Sequence, residues 1–257
     1  MGRNSSFFLM AACMVPGSVF SLYNGNTALP DMPEDAFFLS KNSFISLKSG
    51  YEGDYLLSRH IGVSSPSSNP GIHSMLNAAT LSLGFINRVE LYTLLGASKT
   101  KVTVQAQEEI VLKTSQDFGG EIGIRANTPV WRDMKFGVDA KYFYAWPQIA
   151  SLEVSEERVE NSGKVYQKEW QVGLSVSQTF AWFTPYVGVK FCRFRMKFVD
   201  LSTLSHWLSS EQVSIYNKSP FGCFVGLGIA ASKGFYFNFE SRFVDEYAFS
   251  GAFGLSF

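Results

Sequence analysis

The stretch YAFSGAFGLSF, residues 247–257, alternates with a period of two. Phe249, Phe253, Leu255 and Phe257 share one parity, while Ser250, Ala252, Gly254 and Ser256 fill the other. Successive side chains of a strand point to opposite faces, so this is a strand with one greasy face and one face of small residues. It closes on Phe257 without a polar tail, where a soluble domain ordinarily frays into polar residues.

The same alternation runs upstream. In 166–180, Trp170, Val172, Leu174 and Val176 oppose Gln171, Gly173, Ser175, Ser177 and Thr179. In 219–232, Phe221, Val225, Leu227 and Ile229 oppose Gly222, Gly226 and Gly228. In 235–244, Phe235, Phe237 and Phe239 oppose Asn238, Glu240 and Arg242. About ten such segments follow one another, near 43–58, 75–86, 88–106, 117–128, 134–150, 166–180, 184–199, 219–232, 235–244 and 247–257. Parity alone does not say whether the apolar face meets a core or a lipid, because soluble antiparallel sheets alternate too.

The connections break the tie. RHIGVSSPSSNPGIHS (59–74), QEEIVLKTSQ (107–116), SLEVSEERVENSGKV (151–165) and DLSTLSHWLSSEQVSIYNK (200–218) are long. They alternate with the short links NR (87–88), PVWRD (129–133), AWF (181–183) and KG (233–234). Only the link near Asp245 is short where a long one is due. A sandwich has no reason to put its long loops at one end, whereas an outer-membrane barrel has tight turns on one side and long loops on the other. The pattern predicts an all-β, transmembrane, antiparallel up-and-down barrel of about 10 strands (8–12) over 43–257. Trp131 and Trp182 then mark one rim, and Trp146 and Trp170 the other.

Composition agrees. Lys and Arg number 22 against 22 Asp and Glu, so no global field draws the chain to nucleic acid. With 24 Phe, 11 Tyr and 22 Gly the chain has much aromatic surface and many close backbone approaches. No segment reaches the roughly 20 apolar residues of a spanning helix, which excludes a helical membrane protein but not a barrel. The N-terminus MGRNSSFFLMAACMVPGSVF reads as a secretory signal over 1–21, followed by a periplasmic segment over 22–42. A buried N-terminal element is the alternative. Cys13 leaves with the signal; Cys192 and Cys223 are either bridged or two half-buried thiols.

Several segments carry a resemblance to a known family. KEWQVGLSVSQTFAWFTPYVGVKFCR (168–193), with FTPYVGVKF its most specific part, resembles the chlamydial major outer membrane protein family of porins. LKSGYEGDYLLSR (47–59), GFINRVELYTLLGASK (84–99) and the stretch 119–154 resemble successive segments of that family, in order. The resemblance implies a porin, here a diverged and shorter paralogue, with trimeric assembly as one arrangement. Its cysteine-rich cross-linking does not carry over to a chain with so few cysteines. A terminal strand ending in Phe, like Phe257, is similar to that of outer-membrane barrels generally, where it implies recognition by the barrel assembly machinery.

The polar parity names the candidate pore lining: Lys48, Glu52, Asp54, Arg88, Glu90, Glu121, Arg125, Lys135, Asp139, Lys141, Lys190, Glu240 and Arg242. Seven bases thus face six acids. Barrels of about 8 strands are filled by their own side chains and those of about 16 hold a channel, so ten lies near the filled limit. An ion-paired plug therefore stands beside a narrow, weakly charge-selective pore for small hydrophilic solutes, the pore being favoured because Gly222, Gly226, Gly228, Ser250, Ala252 and Gly254 leave room. A non-conducting structural or surface-interaction barrel, using loops 59–74 and 200–218, is the alternative. A rim hydrolase would draw on His60, His73, His206, Asp117 and Asp200, but nothing groups these at catalytic spacing, and no enzyme, metal or cofactor is expected. The expected partners are outer-membrane lipid, the assembly machinery and other copies of the chain.

Overall fold

The computed structural model describes residues 23, 25–26, 28, 44–63, 68–105, 108–155, 157–159, 163–199, 213–232 and 234–257. The expected signal peptide lies outside the described residues, as do His206 and Asp200. The strands are β1 (Ile45–Arg59), β2 (Ile61–Val63), β3 (Ser68–Phe85), β4 (Val89–Gln105), β5 (Glu109–Thr114), β6 (Asp117–Trp131), β7 (Met134–Ala145) and β8 (Ile149–Val154). They continue with β9 (Glu157–Val159), β10 (Lys164–Gln178), β11 (Phe183–Val199), β12 (Val213–Asn217), β13 (Phe221–Ser232), β14 (Phe235–Phe243) and β15 (Glu246–Ser256).

Ten of them close into one antiparallel barrel, in the order β1, β3, β4, β6, β7, β10, β11, β13, β14, β15 and back to β1. The seam is long: Lys48 pairs Ser256, Tyr51 pairs Phe253, Tyr55 pairs Phe249 and Arg59 pairs Glu246. The Phe257 N–H then donates to the Leu47 carbonyl at 2.8 Å. The terminal stretch is therefore the closing strand, with Phe249 and Phe253 exposed outside and Ser250, Gly254 and Ser256 buried inside.

Each expected segment falls on one barrel strand, with one correction. The segment 134–150 is two strands, because β7 stops at Ala145 and β8 starts at Ile149. Pro147 lies between them and has no N–H for a ladder. β8 then leaves the barrel and pairs with β5. The long links are also more structured than loops. β5, β8 and β9 prolong the sheet beyond β4, and β12 with β2 prolongs it beyond β11.

The barrel is inside-out over most of its height. Leu81, Leu95, Phe118, Ile122, Val187, Val189, Phe237, Phe239 and Phe249 are exposed on its outer face, while Lys48, Asp54, Glu90, Asp139, Lys190 and Arg242 are buried inside. A soluble protein reverses this arrangement. An apolar mantle around a closed hydrogen-bond ladder is what a lipid bilayer demands, since no edge is left to satisfy. At the loop end the polarity inverts. Leu56, Ile72, Val102, Val104, Ile110, Leu112, Leu152, Val154, Phe194, Met196, Phe198, Val213 and Ile215 form one buried apolar cluster. The strand extensions thus carry a core like that of a soluble sheet, seated over the barrel.

The turns are tight for local reasons. Ile86 and Asn87 both take positive φ (52° and 53°), the signature of a two-residue hairpin turn, and the Arg88 N–H donates to the Phe85 carbonyl at 3.0 Å. Ile86 is branched, so its positive φ is strained. The short link at Asp245 has its own cause. Val244 takes φ 87° and stays exposed, which swings Asp245 into the barrel, where it is buried. His60 fastens this turn: its N–H donates to the Asp245 carbonyl at 3.0 Å, and Nδ1 lies 3.0 Å from the Val244 carbonyl.

Candidate functional site

The lumen is where the charged side chains of a membrane-spanning barrel can do chemistry, and here they meet one another. Toward the loop end, Glu246 opens β15, accepts hydrogen bonds from Arg59 Nε at 2.8 Å and from Lys190 Nζ, and forms an ion pair with Arg242 Nε at 3.0 Å. Arg59 also binds Glu169 at 2.9 Å, and Lys190 binds Asp245 at 3.1 Å. Arg242 completes its shell with Asp54 and with Glu240 at 3.2 Å. The Cys192 thiol donates to Glu169 at 2.9 Å. Cys192 is buried inside, whereas Cys223 pairs with the exposed Val189 on the outer face. Both thiols are free.

Toward the turn end a second network forms. Lys48 binds Glu90 at 3.0 Å, and Arg125 binds Asp139 at 3.0 Å and Glu90 at 3.6 Å. Lys141 lies 3.7 Å from Glu121 and 3.8 Å from Asp139. The Tyr92 hydroxyl donates to Asp139 at 2.9 Å, and Arg125 stacks 4.8 Å from the Tyr92 ring centroid. Burying unpaired charge costs several kcal/mol per ion, and pairing of this kind is how a narrow lumen avoids it.

Eleven of the thirteen expected lining residues are buried in the barrel. Arg88 and Lys135 are the exceptions. Both stand at the turn-end rim and line a cleft of about 230 Å³ with Asn127 and Pro129. They share the luminal parity but lie too near the turns to enter the lumen. Sequence reasoning missed Arg59, Glu169, Asp245 and Glu246, all buried. With them the buried set among the described residues holds six bases (Lys48, Arg59, Arg125, Lys141, Lys190, Arg242) and nine acids (Glu52, Asp54, Glu90, Glu121, Asp139, Glu169, Glu240, Asp245, Glu246). The described interior is therefore acid-rich, against the near balance expected.

Several of the inner-face glycines do not leave room, because a ring of the neighbouring strand covers them: Tyr92 lies over Gly123, Tyr186 over Gly226 and Tyr236 over Gly254. These are direct cross-strand partners, so each ring occupies the space a Cβ would need. Gly222 is likewise filled, by Asp245 and Lys190.

The N-terminal stretch adds a further filler. The segment 22–42 is expected in the periplasm, yet its described residues Tyr23, Asn26 and Ala28 are buried within the barrel. The Tyr23 carbonyl accepts from Lys141 Nζ, and Asn26 Nδ2 donates to Asn238 Oδ1 at 3.4 Å. Gly25 takes φ 79°, and the Arg125 guanidinium packs where its Cβ would be. Only glycine serves there, for both reasons. The Asn26 side chain accepts from the Ala28 N–H at 2.9 Å and turns the segment on itself. Between this plug and the wall, a cavity lined by Glu52, Ser82, Glu121 and Tyr236 measures about 30 Å³. That is room for two or three waters at about 10–15 Å³ each.

It is a transmembrane barrel whose described luminal charges pair with one another across the interior. No family model and no curated protein matches the chain. Among solved structures it is similar to the outer membrane protein OprG from Pseudomonas aeruginosa, at 9% identity and TM-score 0.37, covering 83% of this chain and 95% of that one. It is also similar to the toluene transporter TbuX of Ralstonia pickettii, at 8% identity and TM-score 0.36 over 83% and 89%. The translocator domain of the autotransporter NalP from Neisseria meningitidis aligns at 10% identity and TM-score 0.44 over 84% and 88%. At such values the barrel rests on the chain's own strand register.

Among the described residues, those named for a rim hydrolase are not assembled. His60 serves the Val244 turn, and His73 stands on β3 opposite Lys101. Asp117 accepts from the Gln148 N–H at 2.7 Å and from the Ser115 hydroxyl. Each is engaged separately.

Proposed function

We propose that this chain is a bacterial outer-membrane barrel protein whose loop end faces the exterior and whose resting lumen does not conduct. Its role is then structural or adhesive, carried by the folded crown of strand extensions and not by a pore. The observation that carries this reading is the occupation of the lumen by paired side chains, by tyrosine rings over glycines and by Tyr23, Asn26 and Ala28. The apolar cluster over the loop end supports it, because a channel mouth would be polar there. The kinship to the chlamydial major outer membrane protein family, and a trimer with it, are proposals that rest on the segments quoted above.

Planar-bilayer recordings on the refolded full-length chain test the reading. A flat baseline at all voltages is the expected result. Sustained steps that scale with salt concentration would overturn it and restore the porin.

Phe257 is proposed as the assembly signal, supported by its place on the closing seam and its bond to Leu47. Deleting Phe257 is expected to lower the yield of folded, heat-modifiable barrel while leaving the folded remainder unchanged. Full yield after the deletion would sink that assignment.

A further inference from the structure

On the outer wall of the β10–β11 hairpin the lipid-facing stripe ends abruptly. Along β10 the outward residues are Val176, Leu174, Val172 and Trp170, then Lys168, Tyr166 and Lys164. Along β11 they are Val187, Val189 and Phe191, then Arg193, Arg195 and Lys197. Register aligns the two changes, since Trp170 pairs Arg193, Lys168 pairs Arg195 and Tyr166 pairs Lys197. From Trp170 to Gln178 the strand runs roughly 27 Å, or roughly 20 Å of height at a tilt of about 40°, close to the apolar band of such barrels. The cations therefore begin where the hydrocarbon ends, at headgroup level.

Lys164, Lys168, Arg193, Arg195 and Lys197 are exposed, and none has a carboxylate partner among the described residues. Like charges directly across a ladder, such as Lys168 and Arg195, repel. An anion bound between them relieves that repulsion. Tyr142, Trp170 and Tyr216 flank Lys168, Arg193 and Arg195 around a cleft of about 450 Å³. Glu169 reaches the floor of this cleft, but its carboxylate is buried and held by Arg59. Elsewhere on the crown Lys113 is answered by a carboxylate. Lys113 binds Glu153 at 2.6 Å, beside Lys101, and that contact holds the Glu153 carboxyl below the usual range.

We propose that this cleft binds the phosphate groups of a phosphorylated glycolipid headgroup in the leaflet at the loop end. Guanidinium forks suit phosphate oxygens in a bidentate way, and the aromatic residues pack against the sugar and the first methylenes. The leaflet supplies the ligand because the cations continue the lipid-facing stripe without interruption. Assignment of that leaflet to the exterior rests on the reading above, but binding itself does not.

The test uses the refolded full chain in zwitterionic micelles and native mass spectrometry. The probe is a bis-phosphorylated glucosamine-disaccharide lipid, beside the same lipid without phosphates, inorganic phosphate, and a soluble sulfated polysaccharide. The phosphorylated lipid is expected to bind at least ~10-fold more tightly than its dephosphorylated form. The triple variant Lys168→Gln/Arg193→Gln/Arg195→Gln is expected to lose that preference, with Arg195→Gln alone showing a partial loss. Lys99→Gln/Lys101→Gln is expected to retain it. Heat-modifiability confirms that each variant is folded. Equal binding of both lipids, a preference retained by the triple variant, or tighter binding of inorganic phosphate or the polysaccharide would overturn the proposal. A conducting pore in the bilayer experiment would overturn the earlier reading alone.

Discussion

Glu246→Ala is expected to destabilise the barrel by about 3–5 kcal/mol, the usual cost of leaving buried charge unpartnered. Three cations converge on this one carboxylate: Arg59, Lys190 and Arg242. Their remaining acids are already committed, Glu169 to Arg59, Asp245 to Lys190, and Asp54 and Glu240 to Arg242. Removing Glu246 strips the shared counter-charge from all three at once. Glu246, Lys190 and Arg242 are essentially inaccessible, so bulk solvent does not screen the charges left behind. Urea unfolding of the refolded protein, followed by tryptophan fluorescence, reads the effect as a shift in midpoint. Glu153→Ala supplies the contrast. Its pair with Lys113 is about a third exposed on both sides, and its loss is expected to cost under about 1 kcal/mol. Similar small shifts for both variants would mean that the lumen is wet, and the non-conducting reading would fall with the prediction.

The second large effect is expected at a glycine. In Gly226→Ala the new methyl overlaps the Tyr186 ring and lies 2.6 Å from the Phe239 carbonyl oxygen. The ring is a direct cross-strand partner, and the carbonyl belongs to the ladder, so neither neighbour yields cheaply. Overpacking of this kind costs about 1–3 kcal/mol. Were the glycine bordering open water, alanine would be nearly neutral. A double-mutant cycle with Tyr186→Ala separates the cases, because removing the ring should relieve the methyl. The coupling is expected at about 0.5–3 kcal/mol, and strictly additive losses would contradict the ring-over-glycine packing.

These two residues also show what was legible. Parity in 219–232 correctly placed Gly226 on the inner face. It could not reveal that Tyr186, some forty residues earlier, lies opposite and covers it, because that depends on the register of β11 against β13. A glycine therefore looked like space when it was a socket. Glu246 escaped for a different reason. It adjoins Asp245, and two consecutive residues in an extended strand cannot both point inward. Both do so here because Val244 adopts positive φ and turns the chain between them and β14. Arg88 and Lys135 mark the opposite error, since a period of two reports the side of the wall but not the height along it. Tyr23 was beyond any periodicity, as its place follows from contacts made across the barrel, its own carbonyl with Lys141 and Asn26 with Asn238.

By itself the sequence determined the two-sided alternation, about ten crossings and the end on which long connections gather. Those are local properties, carried by side-chain parity and by the number of residues between strands. Only the tertiary structure decided which luminal charges meet, that the crown has an apolar core, and that five cations line up above Trp170. Each depends on which residues of separate strands come face to face. Register sets that, and register is a property of the closed barrel and of no strand alone.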